Sequence, residues 1–444
     1  MSYIFHLALY NNKLSKGVII MNYQQALEYI HSLNRFGSVL GLERISELLS
    51  LLGSPQKKLK FVHIAGTNGK GSTTAMTAYA LTNAGYKTGM YISPFVLEFR
   101  ERIQIDGEMI SEQDLADCCE VAKAAAEQMK QQGKIITEFE MVTAIAMYYY
   151  NKQNCDIVVL EVGLGGRFDA TNVIENPLVC AITSISYDHT DILGDTLEKI
   201  AFEKCGIIKQ NSVVVSYPKQ ELDALAVIME QAAAKNARLI IGANPKIISC
   251  DISGNDIEYD GLKIHIPLIG EHQVYNCITA VCILQQLRQK GYNIADSNII
   301  NGIAAVRFPA RMEILNKNPL VILDGAHNYS GMTALNNALD RLSGRKINAI
   351  VGMLRDKDVS GSMALISKHF QRVFTVTPNN PRAMSAQDLA AIVSQYCKAV
   401  VPYDDKKKAY SDALANTGKD DALIICGSLY LASEIRRIIL DGIK

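Results

Sequence analysis

The chain lacks several features that would direct it to a particular class of protein. It has no tryptophan among its 444 residues, and its 45 basic residues balance 45 acidic ones, so the formal net charge is zero. No overall field therefore attracts nucleic acid or an anionic membrane, and any bound anion has to be held by a local site. Apolar runs such as Ile157–Leu160 and Val213–Val215 have the length of strands and are far too short to span a membrane.

Paired cysteines are also absent. The ten cysteines are scattered singly, apart from Cys118 and Cys119, with no CxxC pair and no zinc-like Cys/His spacing. In a chain of this size such thiols are usually reduced core residues. With 48% hydrophobic and 20% charged residues, the composition is that of a soluble globular protein. We therefore expect a cytoplasmic protein that binds neither nucleic acid nor membranes.

What the chain does have is an alternation of short β-rich runs and helical stretches, which is typical of parallel sheets covered by helices. The length favours two or three domains. Short alternating segments between residues 242 and 268 predict a small antiparallel patch. Five further strands after residue 319 predict a second, complete doubly wound domain. The predicted division is an extension at 1–20 that is disordered, a large domain at 21–305, a linker at 306–312 and a smaller domain at 313–444.

The strongest local signal is the glycine-rich run Gly66-Thr67-Asn68-Gly69-Lys70-Gly71-Ser72, between the predicted strand Phe61–Ala65 and a helical stretch. A turn of this kind exposes backbone N–H groups to phosphate oxygens, and the N-terminus of the helix adds a partial positive charge. Lys70 would lie against the outer phosphates, with a hydroxyl from Ser72 or Thr73 near a metal ion. The strict Walker spacing is broken, so an ordinary tight βα turn is the alternative.

Chemically interesting residues also stand at the ends of two other predicted strands. Glu161 directly follows the strand Asp156–Leu160, where an unpaired buried carboxylate is costly. A magnesium ion would compensate its charge, and an ion pair with a nearby Lys or Arg is the alternative. His189 follows the strand Val179–Ser184, at the sheet edge where open α/β folds bind ligands. Lys204 lies on a predicted helix and, on this pattern alone, would be a solvated charge.

Together these segments resemble the folylpolyglutamate synthase/dihydrofolate synthase branch of the Mur ligase superfamily. The resemblance runs from about Met21 to the C-terminus. Besides the phosphate loop it rests on ordered motifs at Ser93–Phe95, Glu101–Ile103, Thr137–Glu140, Glu161–Asn172, Asp188–Thr190, Glu203–Lys209, His272–Asn276, Arg311, Asp324–Asn328, Asp356–Asp358 and Gly427–Tyr430.

The resemblance implies a P-loop NTPase-like N-terminal domain with a parallel sheet and a small antiparallel patch, followed by a smaller Rossmann-like α/β domain. It implies that ATP is held by the phosphate loop (Gly66, Thr67, Asn68, Gly69, Lys70, Gly71 and Ser72) and by Asn276, Arg311, Asp324 and His327. Lys70, His189 and Lys204 correspond to catalytic residues of the family. Ser93, Glu161, His189 and Lys204 correspond to ligands of two Mg²⁺ ions, with Lys204 carried as a carbamate.

The resemblance also implies two substrate regions. Phe95, Arg102, Asp169 and Ala170 fall where the family holds the pterin-bearing substrate. Asp358, Ser385 and Ser428 fall near the site of the incoming glutamate. The sequence departs from the family at Phe308 and Ala310, where Trp and Gly are usual, and at Cys205, where Ala is usual.

The expected reaction is ATP-dependent amide formation between L-glutamate and a folate or dihydropteroate carboxylate, through an acyl phosphate, by a monomeric enzyme. Which of the two acids is used stays open. A muramoyl peptide precursor as substrate is one alternative, and the folate-type motifs argue against it. A P-loop NTPase without ligation would not need the second α/β domain. An inactive relative is disfavoured because no expected metal or phosphate residue is missing.

Overall fold

The computed structural model describes residues 21–33, 41–342 and 344–443. The extension predicted at residues 1–20 lies outside the described residues. No helix in the described ranges is long and apolar enough to cross a membrane. All ten cysteines are unpaired, and nine of them are buried.

The first large sheet has eight strands in the order β4-β3-β2-β5-β1-β6-β7-β8. All neighbours are parallel except the pairs that involve β3 and β4. The central strand β1 has β5 on one side and β6 on the other, so the carboxyl ends of these three strands lie side by side. The strands are β1 Phe61–Ala65, β2 Thr88–Tyr91, β3 Ile103–Ile105, β4 Glu108–Met109, β5 Ile157–Glu161, β6 Val179–Ile182, β7 Val213–Ser216 and β8 Arg238–Ile241.

Ten α-helices accompany this sheet among the described residues: α1 Tyr23–Ser32, α2 Glu43–Leu51, α3 Lys70–Asn83, α4 Glu112–Gln131, α5 Glu138–Lys152, α6 Thr190–Leu193, α7 Leu197–Cys205, α8 Leu222–Ala234, α9 Glu271–Gln289 and α10 Asp296–Ala304. The helix α3, which follows the phosphate loop, is buried along most of its length and packs on α9 and α10. Small residues allow this close approach, because a Cβ at Gly302 would lie 2.4 Å from the Cα of Ala80.

A three-stranded antiparallel sheet lies before α9, with strands β9 Lys246–Asp251, β10 Gly254–Tyr259 and β11 Leu262–Ile266. Its inner residues Ile257, Ile264 and Ile266 are buried in the same core as α3 and α9. The antiparallel patch predicted at this place is therefore confirmed.

The second large sheet has the order β12-β13-β17-β14-β15-β16, and only β12 runs antiparallel to its neighbour. The five predicted strands are present, and β12 adds an edge. The strands are β12 Glu313–Lys317, β13 Leu320–Leu323, β14 Ile347–Val351, β15 Phe370–Val376, β16 Val400–Tyr403 and β17 Ala422–Cys426. The helices are α11 Tyr329–Leu339, α12 Val359–Ile366, α13 Ala386–Val393, α14 Lys406–Ala415 and α15 Leu429–Ile443. The predicted fold class, two α/β units of unequal size, is confirmed.

The two units contact each other through more than the linker. Val96, from the loop after β2, belongs to the apolar core of the second unit. The Arg437 side chain donates a hydrogen bond to the Leu97 carbonyl at 2.9 Å, and Arg341 forms an ion pair with Glu271 at 3.2 Å. The domain limits at 21–305, 306–312 and 313–444 stay a proposal, with the first large sheet ending at Ile241 and the second beginning at Glu313.

Candidate active site between the two α/β units

The phosphate loop turns sharply between β1 and α3. Gly69, which precedes α3, has a φ of 85°, in the left-handed region that glycine adopts without steric cost. The amides of Thr67 and Asn68 already donate to the Ser184 carbonyl, at 2.8 and 3.3 Å. The Lys70 amine folds back on the loop and donates to the carbonyls of Gly66 and Thr67. The amides at the start of α3 are therefore the ones that can meet phosphate oxygens.

The carboxylate of Glu161 lies against this loop. Its side chain is buried and accepts a hydrogen bond from the Ser93 amide at 3.2 Å. A Cβ on Gly71 would lie 3.5 Å from its Oε2 atom. Burial raises the pKa of Glu161 to about 7, although the charge of Lys70 acts in the opposite direction. The protein alone thus compensates this carboxylate incompletely.

The ammonium group of Lys204 is also buried, with 3% of the residue exposed. It donates to the Gly66 carbonyl at 2.9 Å, so the end of α7 meets the phosphate loop. Burial lowers the pKa of Lys204 to about 7, and the charge of Lys70 acts in the same direction. The helical pattern alone predicted a solvated lysine, and that prediction is wrong. The last residues of α7 face inward and pack against β1 and β6.

Asp188 joins the two units. Its Oδ1 atom accepts a hydrogen bond from Lys357 at 2.6 Å, and its Oδ2 atom accepts one from Asn328 at 2.9 Å. Burial acts to raise the pKa of Asp188, but the bond from Lys357 outweighs it and holds the pKa well below its usual range. His189 stands beside it with a φ of 52°, and burial lowers the pKa of its imidazole. Lys357 and Asn328 lie in two of the family-like motifs, but the sequence assigned neither of them a role.

Arg311, Asp324 and His327 come together where the linker meets β13. The Arg311 guanidinium lies 5.6 Å from the centre of the Phe308 ring. Burial raises the pKa of Asp324, and the positive charge of Arg311 reduces that rise. His327 donates through Nδ1 to the Gly325 carbonyl at 2.8 Å. Ala310, where the family usually has Gly, has a φ of 53°. This left-handed conformation explains why glycine is the usual residue there.

The remaining ATP candidate is Asn276 in α9. It is buried, and its amide donates to Gln273 at 3.0 Å. A Cβ on Gly69 would lie 2.2 Å from the Asn276 Oδ1 atom. Asn276 therefore touches the phosphate loop at Gly69, directly before α3.

A cavity of about 460 Å³ is lined by Ser93, the residue whose amide binds Glu161. Its wall includes four of the predicted site residues, namely Ser93, Arg102, Asp169 and Ala170. The Arg102 guanidinium lies 5.3 Å from the ring centres of Phe95 and Phe99. Its Nε atom is buried and has no hydrogen-bond partner in the described part of the chain. Phe95 thus supports the cavity through Arg102.

The three residues predicted near the incoming glutamate all serve as helix caps. The Asp358 carboxylate accepts from the Gly361 amide at 2.9 Å, at the start of α12. The Ser385 hydroxyl accepts from the Asp388 amide, and the Ser428 hydroxyl accepts from the Leu431 amide, each at 3.1 Å. Their polar groups therefore have a role in the fold.

Comparison with known proteins agrees with this geometry. Residues 64–284 match the Mur ligase middle domain, and residues 310–429 match the Mur ligase glutamate ligase domain. The chain is 35% identical to a folylpolyglutamate synthase from Lacticaseibacillus casei, over 95% of this chain and 100% of that protein. It is 34% identical to a dihydrofolate synthase/folylpolyglutamate synthase from Bacillus subtilis, over 94% and 98% of the two chains.

The chain belongs to the folylpolyglutamate synthase/dihydrofolate synthase family of Mur-type, ATP-dependent ligases. Solved structures support this assignment. The fold is similar to that of Mycobacterium tuberculosis folylpolyglutamate synthase complexed with ADP, with a TM-score of 0.85, 30% identity and coverage of 94% and 99%. It is also similar to Escherichia coli FolC in complex with DHPP and ADP, with a TM-score of 0.84, 29% identity and coverage of 95% and 99%. The family and reaction class predicted from the motifs are confirmed.

Proposed function

We propose that this chain joins L-glutamate to the carboxylate of dihydropteroate or a reduced folate, after ATP has converted that carboxylate into an acyl phosphate. The observation that carries the proposal is the position of Ser93. Ser93 lines the 460 Å³ cavity. Its backbone amide donates a hydrogen bond to the Glu161 carboxylate, which lies against Gly71 of the phosphate loop. A carboxylate that extends from the cavity therefore reaches the place where the phosphates of ATP would lie.

Magnesium fits this place. Glu161 is a buried oxygen ligand whose charge the protein leaves incompletely compensated, which is the environment that a hard cation stabilises. No three His, Cys, Asp or Glu side chains meet as a metal site within residues 21–33, 41–342 and 344–443. A nucleotide-bound Mg²⁺ does not need such a cluster, because phosphates and water fill most of its positions. We propose Ser93 and Glu161 at one ion and His189 with Lys204 at a second; when bound, the ions neutralise charge on the transferred phosphoryl group.

Lys204 is proposed to carry a carbamate. Its amine is buried, and its hydrogen bond goes to a neutral carbonyl, that of Gly66. The ammonium group would lose a proton, and addition of CO₂ to the resulting amine, with loss of a second proton, would form a carbamate with a negatively charged carboxylate end. The new group would then be a metal ligand of the hard-oxygen type.

The chain's own residues divide the remaining work. Lys70 would leave the loop carbonyls and contact the outer phosphates, while Arg311, Asp324, His327 and Asn276 hold the rest of ATP. Arg102 would bind an anionic or electron-rich part of the pterin-bearing substrate. The proposed contacts of glutamate come from the second unit, around Asp358, Ser385 and Ser428. Because one chain supplies both halves of the site, we propose that it acts as a monomer, and contact between the units excludes water from the acyl phosphate.

The test is release of ADP with 7,8-dihydropteroate or tetrahydrofolate, each with and without L-glutamate. We expect glutamate-dependent release with at least one of the two acids, and the better acid identifies the main activity. ADP release that ignores glutamate would instead indicate a nucleotide hydrolase. Glutamate-dependent release with a muramoyl peptide precursor but with neither pteridine would contradict the proposed substrate.

A further inference from the structure

A buried histidine in the central strand has no place in the mechanism described above. His63 lies in the middle of β1 and has no exposed surface. Burial lowers the pKa of its imidazole to about 3, so the ring is neutral. A buried polar ring of this kind is costly in an otherwise apolar strand unless its hydrogen bonds are made. One ring nitrogen, Nδ1, has no partner in the described part of the chain.

The other ring nitrogen begins a chain of hydrogen bonds. His63 Nε2 lies 2.9 Å from the Thr171 hydroxyl oxygen, and that hydroxyl is hydrogen-bonded to Asp169 Oδ1. An ionised carboxylate only accepts hydrogen bonds, so the Thr171 hydroxyl donates its proton to Asp169. Its oxygen must then accept from His63, which fixes the ring as the tautomer with hydrogen on Nε2. Both donors in this series of hydrogen bonds, the His63 Nε2–H group and the Thr171 hydroxyl, therefore point toward Asp169.

Asp169 connects this chain to the cavity wall. Its Oδ1 atom also accepts from the Thr171 amide at 3.0 Å, and its Oδ2 atom accepts from the Leu164 amide at 2.9 Å. Both Asp169 and Leu164 line the cavity. These hydrogen bonds hold the carboxylate plane of Asp169 in one orientation and fix the position of the loop that begins at Gly163. A molecule in the cavity therefore meets an Asp169 carboxylate whose orientation is already set.

We propose that His63 is a positioning residue for substrate binding, which acts through the Thr171 hydroxyl to orient Asp169 toward donor groups of the substrate's heterocycle. His63 itself touches no substrate. The inference rests on the proposed function, because it assumes that the pteridine substrate occupies this cavity. A preoriented acceptor strengthens binding because its direction does not have to be fixed when the substrate arrives.

The test compares KM for 7,8-dihydropteroate and for tetrahydrofolate in His63→Leu, Thr171→Val and the double variant. For the substrate that the wild type uses, each single variant should raise KM about five- to tenfold, the loss of roughly one hydrogen bond. The KM for ATP should change by less than about twofold, because the phosphate loop takes no part in the hydrogen bonds from His63 to Asp169. The double variant should have the same pteridine KM as either single variant, since both changes break the same series of hydrogen bonds.

Conservative variants supply the rescue. Thr171→Ser keeps the hydroxyl, and His63→Gln can donate from an amide placed near the former Nε2 position, so both should recover most of the lost affinity. Tyr150→Phe is the matched control, because it also removes a buried hydrogen bond, to the Met90 carbonyl at 2.7 Å. It should lower the melting temperature without raising KM for the pteridine.

The outcomes separate the possibilities. A lowered melting temperature with unchanged pteridine KM would make His63 merely structural and overturn the proposal. So would additive effects in the double variant, or an equal rise in KM for ATP. If His63→Leu does not fold, Thr171→Val against Thr171→Ser decides alone. A wild-type enzyme without glutamate-dependent ADP release would refute the proposed function before any variant is measured.

Discussion

The two halves of the site use their polar side chains differently. In the N-terminal half, Glu161, Lys204 and Arg102 are buried or half-buried, and none forms an ion pair in the described part of the chain. In the C-terminal half, Asp358 and Ser385 already accept hydrogen bonds at the first turns of their helices. A charged group with unused capacity is costly in a fold and therefore indicates a ligand. A capping group has a structural reason of its own.

The largest effect should follow from the loss of Lys204. We expect Lys204→Ala to lower kcat by roughly 100-fold, the size of effect typical for loss of a group that orients a metal or stabilises charge in a transition state. In ¹³C NMR with labelled bicarbonate, the wild type should show a carbamate carbon that the variant lacks. Partial rescue of the variant by formate or acetate would strengthen this assignment. Full activity of both the variant and the bicarbonate-depleted wild type would exclude a carbamate.

The contact between the halves should give the next largest effect. Lys357 and Asp188 are only 9% and 10% exposed, and loss of one partner leaves the other charge buried. Such a loss costs about 3–5 kcal/mol in a rigid interior. Separation of the two units would hydrate Asp188 instead, so we expect Lys357→Met to raise KM for ATP about tenfold.

The radius of gyration from small-angle X-ray scattering should increase in Lys357→Met. The double variant Lys357→Met/Asp188→Asn removes both charges and should recover part of the compact form. If the increase in the radius of gyration of the double variant equals the sum of the increases in the two single variants, the ion pair does not hold the units together.

Arg102 should show a smaller effect, confined to one substrate. Its Nε atom is buried without a partner, and its guanidinium lies against two aromatic rings in the cavity wall. We expect Arg102→Met to raise KM for the pteridine substrate about tenfold, the loss of one hydrogen bond to a charged group, with KM for ATP nearly unchanged. Arg102→Lys, which keeps the charge but not the planar fork, should be intermediate. Equal changes in both KM values would place Arg102 outside the substrate site.

Much of this arrangement follows from the sequence because its signals are local. The buried strand β1 was predicted at its observed limits, Phe61–Ala65, because it is a short apolar run followed by a glycine-rich turn. The edge strands β4 and β8, and β3 beside β4, were not predicted, because they are short and partly exposed.

The contacts that complete the site are not local. His63 reaches Thr171 across 108 residues, and Lys357 reaches Asp188 across 169. The motifs that contain Thr171, Asp188 and Lys357 do not show which distant residue each side chain contacts, so only the fold reveals these pairs. The helix caps, in contrast, can be predicted from neighbouring residues. The run Ser385-Ala-Gln-Asp388 has the spacing of a helix start, and that spacing alone predicts a capping role for its hydroxyl.

The smallest effect should come from that cap, and it tests the difference between the halves directly. We expect Ser385→Ala to lower the free energy of unfolding by about 1 kcal/mol, because the Asp388 amide loses its acceptor. Ser385→Asp supplies a carboxylate that caps equally well, so it should restore the stability. Chemical denaturation measures both variants.

The same pair of variants separates capping from binding of glutamate. If the Ser385 hydroxyl only caps α13, Ser385→Asp restores both the stability and the KM for glutamate. If the hydroxyl also binds the incoming amino acid, Ser385→Asp restores the stability but leaves KM high, because its negative charge repels the carboxylates of glutamate. The second result would show that a satisfied polar group can still serve a ligand, and the contrast between the two halves would then apply only to charged residues.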